Sequence, residues 1–143
     1  MLIFRMHDPI WDVFDTGGAL KHRGRWHSAG TPVIYAAEHI SLAALELLVH
    51  AGGKRIPPRV VTTVEVPSDL LIENCEWRDE PESRRIGDEW VREGRSVLLK
   101  VPSIAADRME SNFVINPAHP QFAGIKVIES RPFHFDPRFI HTI

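Results

Sequence analysis

The sequence predicts an α+β fold: one compact domain over residues 1–143, with mixed or antiparallel strands and few helices. Three observations carry that expectation. Strands come first, then one or two helices, then mostly strands, an order unlike a regular βαβ repeat. Nine glycines and eleven prolines punctuate the whole length, so the elements are short and many rather than the long helices of a bundle. A length of 143 residues suits a single domain that buries its own core.

Taken in order, Leu2 to Met6 reads as the first strand. Asp8 to Arg25 is expected to be irregular, broken by Gly17-Gly18 and Gly24, and Pro32 to Ala36 is a short apolar strand. Ser41 is a candidate N-cap for a helix that runs to about His50 and closes at Gly52-Gly53. In Arg59 to Val66, Val60, Thr62, Val64 and Val66 alternate with Val61, Thr63 and Glu65, which predicts a strand. Leu70 to Ile72 is a weaker one. Pro81 to Glu93 is charged and partly helical, ending at Gly94, with Gly87 counting against it. Val97 to Val101, Phe113 to Ile115 and Ile125 to Ser130 are strands, the last with Phe133 and Phe135 as its extension.

Composition excludes several classes. The net charge is −2 and the sequence pI about 6.4, which argues against a general nucleic-acid binder because such binding needs uncompensated Lys and Arg. Cys75 is the only cysteine, so neither an internal disulfide nor a four-cysteine zinc site can form. The eight histidines, from His7 to His141, show no HExxH or comparable spacing, and no metal is expected. Met1 to Met6, soon followed by Asp8 and Pro9, does not read as a secretory signal, and no apolar run approaches the roughly 20 residues of a membrane span. The expected location is the cytoplasm.

Glu46 interrupts Leu42 to Val49, where the other seven of eight positions are apolar. At about 100° per residue it falls roughly 40° from Leu42 and 60° from Val49. A helix apolar on every side is usually buried, and a carboxylate within it must be paired, protonated or turned into a cavity. Two readings fit: an exposed stripe, or a functional acid lining a pocket. Lys21 to His27 is the most basic short segment, with Arg25 between Gly24 and Trp26. Arginine's planar fork suits phosphate or carboxylate, and Trp26 offers an aromatic face for a ring or for packing. A solvated loop with a core tryptophan fits equally. Tyr35, the only tyrosine, ends the second strand, where both ligand contact and core packing are open. Ser103 follows a strong strand without a Gly-x-Ser-x-Gly elbow, so a serine hydrolase is rejected and a turn role is open. Asn112 and Asn116-Pro117 read locally as structural.

The ordered set Gly24-Arg25-Trp26, Val33-Ile34-Tyr35, Ala44-Leu45-Glu46, Leu99 to Ser103, Asn112 with Ile115-Asn116-Pro117, and Phe135 to Arg138 resembles the RES domain. The arginine, glutamate and serine that name that family would be Arg25, Glu46 and Ser103. Many relatives carry Asn where this chain has His27. The resemblance implies an α+β fold related to ADP-ribosyltransferase toxins and NAD⁺ as substrate, with no permanent cofactor. It implies toxins of toxin–antitoxin pairs, some of which degrade NAD⁺ by phosphorolysis to nicotinamide and ADP-ribose-1″-phosphate, while at least one type modifies a protein. The implied partner is an antitoxin with an Xre-like helix-turn-helix domain that covers the active site.

Under that resemblance Glu46 would stabilise positive charge developing on the ribose, as in glycoside cleavage. Arg25 would hold the pyrophosphate or incoming phosphate. Tyr35 would shape the nicotinamide pocket. Trp26 and Ser103 would contact substrate, with Arg5 as a further phosphate ligand and Asn112 as a polar contact. A water-using glycohydrolase, a protein ADP-ribosyltransferase and a non-catalytic or RNA-acting toxin module are the competing functions.

Overall fold

A computed structural model describes residues 1–139; the last four positions of the predicted domain, His141 among them, lie outside the described residues. The elements are β1 (Leu2–His7), α1 (Gly17–Lys21), β2 (Ile34–Ala37), α2 (Ile40–Ala51), β3 (Arg59–Glu65), β4 (Ile72–Asn74), α3 (Glu82–Glu93), β5 (Leu98–Pro102), β6 (Ser111–Ile115) and β7 (Lys126–Phe133). The strands form one seven-stranded sheet in the order β4-β5-β6-β2-β1-β3-β7. Every neighbouring pair is antiparallel except β4 with β5, so the sheet is mixed, as expected.

Adjacent residues of the strands face opposite sides and feed separate cores. Ile34, Leu98, Phe113 and Ile115 join Ile3 and Val64 in one cluster, with Phe14 and Phe122 packed on it edge to face at 5.0 Å between centroids. Their neighbours Val33, Leu99 and Val114 join Trp26, Trp90 and Val101 in the other, against α3. A smaller cluster of Ala37, Leu42 and Ala43 with Met6 seats α2 on β1 and β2.

Several local expectations are corrected. The segment from Asp8 to Arg25 is not wholly irregular, because Gly17–Lys21 forms the short helix α1. Ser41 is not the cap of α2: the helix begins at Ile40 after His39, with no side-chain cap hydrogen bond. Tyr35 does not end its strand but lies second in β2, opposite Val114. Nor is α2 buried all round, since only Leu42 and Ala43 are buried and Leu45 and Val49 are 38% and 61% exposed. Both α2 and α3 stop at the predicted glycines, Gly52 and Gly94, each in the left-handed conformation that closes helices.

Two features place the site. First, β1 and β2 share a single paired position, Phe4 opposite Ala37. Beyond it the Arg5 side chain bonds the Tyr35 carbonyl in place of a backbone ladder. Second, α3 lies directly on the loop that carries Arg25. A Cβ on Gly87 would stand 1.7 Å from the Trp26 carbonyl oxygen, so only glycine permits this approach. The residue that counted against helix in the sequence is the one that lets the helix dock.

Candidate functional site

Where β1 and β2 part, a cavity of about 870 Å³ opens, lined among others by Arg5, Arg25, Tyr35, Glu46, Arg84 and Asn112. It brings together residues that lie far apart in the chain. Glu46 faces a cavity and is not part of a solvated stripe.

The Glu46 carboxylate is held from one side. Ser103 Oγ donates to Oε1 at 2.6 Å and Asn112 Nδ2 donates to the same oxygen at 2.9 Å. Among the described residues Oε2 receives no hydrogen bond. Register places the two donors side by side, since Asn112 in β6 pairs with Val101 in β5 and Ser103 follows β5 directly. Ser103 is itself fixed, its N–H donating to the Glu110 carbonyl at 2.9 Å and its carbonyl accepting from the Arg108 N–H at 2.7 Å. It is 1% exposed and is not a lining residue, so its single proton serves Glu46 rather than a ligand.

Arg5 is a buried cation with spare donors. Its Nη1 donates to the Tyr35 carbonyl at 2.8 Å, whereas Nε is buried and has no partner among the described residues. Burial lowers its pKa to about 10, opposed by the charge of Asp15. An unpaired, desolvated N–H is costly, and since Arg5 lines the cavity its remaining guanidinium donors are the ones an anion could reach.

Tyr35 lines the cavity, but its hydroxyl is engaged behind the wall. The Trp26 N–H donates to it at 3.1 Å, and His27 Nδ1 lies 2.7 Å away. His27 Nε2 lies 2.8 Å from the His22 carbonyl, which can only accept, so Nε2 carries the proton and Tyr35 donates to Nδ1. Burial pushes the Tyr35 phenol above its ordinary range. An asparagine at position 27 would offer the same pairing of one acceptor and one donor. Trp26 is a lining residue yet only 2% exposed, with its ring packed among Trp90, Val33 and Leu99, so it offers wall rather than a free ring face.

Arg25 reaches the cavity from a loop that α3 clamps. Ser83 Oγ donates to the Arg25 carbonyl at 2.6 Å, and Arg84 Nε to the Gly24 carbonyl at 3.2 Å. Asp88 accepts from the Ser28 N–H at 2.8 Å, from Ser28 Oγ at 2.5 Å and from Thr31 Oγ1 at 2.9 Å. At the tip, Arg25 Nη1 lies 3.3 Å from Glu80 Oε1. Sequence reasoning missed His27, Glu80, Ser83, Arg84 and Asp88. The charged stretch from Asp79 looks like a solvated surface, and no local pattern in it marks contact with a loop some 60 residues away. Among the described residues, no group of three or more His, Cys, Asp and Glu side chains is arranged to hold a metal ion.

With this geometry in place, residues 2–136 match the RES domain family. The chain belongs to that family. This RES domain is 35% identical over 142 residues, 90% of this chain and 88% of the relative, to the Prs ADP-ribosylating toxin of a Sphingobium species. It is 36% identical over 139 residues, 89% and 92% of the two chains, to Toxin Res of Pseudomonas putida, and 31% identical over 153 residues, 98% and 97%, to Toxin Res of Photorhabdus laumondii. Its fold is that of a chain in the crystal structure of the M. tuberculosis MbcT–MbcA toxin–antitoxin complex, with a TM-score of 0.77 at 14% identity over 92% of this chain and 83% of that one. No helix of the described residues is long and apolar enough to cross a membrane.

Proposed function

We propose that this RES domain is a toxin enzyme that binds NAD⁺ in the cavity and breaks the nicotinamide–ribose bond, with inorganic phosphate as acceptor. The observation that carries the reading is that Arg25 and Glu46 face one cavity, with Glu46 fixed through Oε1 and its other oxygen open. The scissile C–N bond sends its electron pair to the pyridinium nitrogen, so nicotinamide leaves neutral and needs no strong acid. Positive charge builds on the ribose, and Glu46 stabilises it or holds a ribose hydroxyl. Arg25 and the desolvated Arg5 hold phosphate oxygens. A phosphate oxygen then forms the new bond to the ribose carbon, giving ADP-ribose-1″-phosphate. Tyr35, locked behind the wall, shapes the nicotinamide end. The scheme calls on no resident cofactor or metal.

A second acceptor, a protein, is favoured by one finding: the Sphingobium relative is named Prs ADP-ribosylating toxin. The partner expected for this chain is an antitoxin with a helix-turn-helix domain that covers the cavity. Its support is the relatives named as toxins, the MbcT–MbcA complex, and exposed Val49 and Ile104 on the lining. The place of action is the cytoplasm, where NAD⁺ is at hand.

The test is nicotinamide release by purified protein with and without phosphate. Release that rises with phosphate is expected. Equal release makes water the acceptor, transfer of label onto a protein makes this a protein ADP-ribosyltransferase, and no release in any arm ends the reading.

A further inference from the structure

Beside Arg25 stands an ion-pair arrangement that the chemistry above leaves unused. Glu80 and Arg84 both line the cavity. Glu80 Oε1 lies 3.3 Å from Arg25 Nη1, and Glu80 Oε2 accepts from Arg84 Nη2. One carboxylate therefore spans two guanidinium groups, with one oxygen for each. Arg84 is firmly placed, its side chain 14% exposed and its Nε bonded to the Gly24 carbonyl at 3.2 Å. Arg25 and Glu80 are looser, at 43% and 38%.

Two oxygens of a phosphate bridge paired arginines in the same manner as two oxygens of a carboxylate. A half-exposed pair such as Arg25–Glu80 is weak in water, so a ligand with more negative charge displaces it. We propose that Arg25 and Arg84 form one anion subsite for the ligand's phosphate groups, and that Glu80 is its built-in competitor, seated where phosphate oxygens bind. The proposal rests on the reading that the cavity takes a phosphate-bearing ligand. Its consequence is a reversed sign. If Glu80 merely oriented the two arginines, losing its charge would weaken anion binding. As a competitor that also repels the incoming phosphate, its neutralisation strengthens binding.

The experiment titrates wild-type protein, Glu80→Gln and Arg84→Gln with inorganic pyrophosphate by calorimetry at fixed ionic strength. Glu80→Gln is expected to lower the Kd about threefold or more, the scale of an exposed ion pair. Its KM for NAD⁺ falls in parallel. Arg84→Gln is expected to raise the Kd, with its thermal midpoint recorded to separate lost binding from lost fold. Unchanged or weaker pyrophosphate binding by Glu80→Gln overturns the proposal, and that variant leaves the Arg84–Gly24 contact intact. Tighter binding by Glu80→Gln in a protein that releases no nicotinamide supports this subsite and removes the proposed reaction. Nicotinamide release with unchanged pyrophosphate affinity in Glu80→Gln removes the subsite alone.

Discussion

Ser103 Oγ stands 2.6 Å from Glu46 Oε1, and this short bond joins the end of β5 to the middle of α2. Because Asn112 takes the same oxygen, the carboxylate is held by one corner and presents the other to the cavity. Ser103→Ala removes the shorter of the two supports and leaves Asn112 alone. Stability should fall by about 1–2 kcal/mol for a buried hydrogen bond. Nicotinamide release should drop roughly tenfold in kcat with KM little changed, because an acid free to turn loses transition-state contact before it loses substrate. A Ser103→Ala enzyme with lower substrate affinity and full kcat would put the serine on the ligand instead.

Glu46→Gln keeps an oxygen that can accept from both Ser103 and Asn112, so folding should survive, as far-UV circular dichroism will report. The negative charge is gone, and kcat should fall on the order of 10²–10³-fold, the scale of losing one preorganised electrostatic contact. Wild-type turnover in this variant takes Glu46 out of the chemistry.

The Tyr35–His27–His22 chain predicts a substitution pattern at position 27. His27→Asn should stay close to wild-type stability, since an amide can accept from Tyr35 and donate to the His22 carbonyl. His27→Leu leaves the Tyr35 hydroxyl proton without its acceptor and the His22 carbonyl without this donor, and should lose about 1–3 kcal/mol. Denaturant midpoints of the two variants decide it; equal midpoints refute the role given to the imidazole.

Much of the fold could be read from the chain, and the reasons are local. Alternation in Arg59–Glu65 and the apolar run at Leu98–Pro102 mark strands whatever surrounds them, and Gly52 and Gly94 mark helix ends. The five residues of α1 are too few to show a period, and the cap preference of Ser41 yields to a chain path that starts the helix at Ile40. The site was less legible. Glu46 is 57 and 66 residues from its two donors, a separation that no local pattern encodes, and the set came from a resemblance. Residue type left Trp26 open to a ring or to packing, and did not say that core neighbours would take most of its surface. Gly87 counts against a helix in the sequence because the loop it docks on is some 60 residues away.

Gly87→Ala tests that docking. The added methyl meets the Trp26 carbonyl at 1.7 Å, and backbone cannot step aside as a side-chain tip can. A loss of about 3 kcal/mol is expected, at the upper end for overpacking, even though alanine is the better helix former. Thermal unfolding of the variant measures it, and a midpoint at or above wild type contradicts the contact.

Asp88 adds a pH signature. Desolvation pushes its carboxyl up, but hydrogen bonds from Ser28 and Thr31 outweigh it and hold the group below its ordinary 3.8. A depressed folded value means that the stabilisation is present above 3.8 and is lost as pH falls through the lower folded value. The stability gap between wild type and Asp88→Asn should therefore close on acidification below that point. A gap that stays constant through the acid range disproves the linkage.

The single rung between β1 and β2, Phe4 beside Ala37, makes the sheet two plates meeting at a seam. Had they zipped onward, Met6 would sit across from Tyr35 and the floor of the cavity would be closed. The hollow is thus owed in part to backbone that was never stitched, beside the small side chains of Ala36, Ala37 and Ala43. Exchanging the side chains around it therefore leaves the gap between the two strands in place.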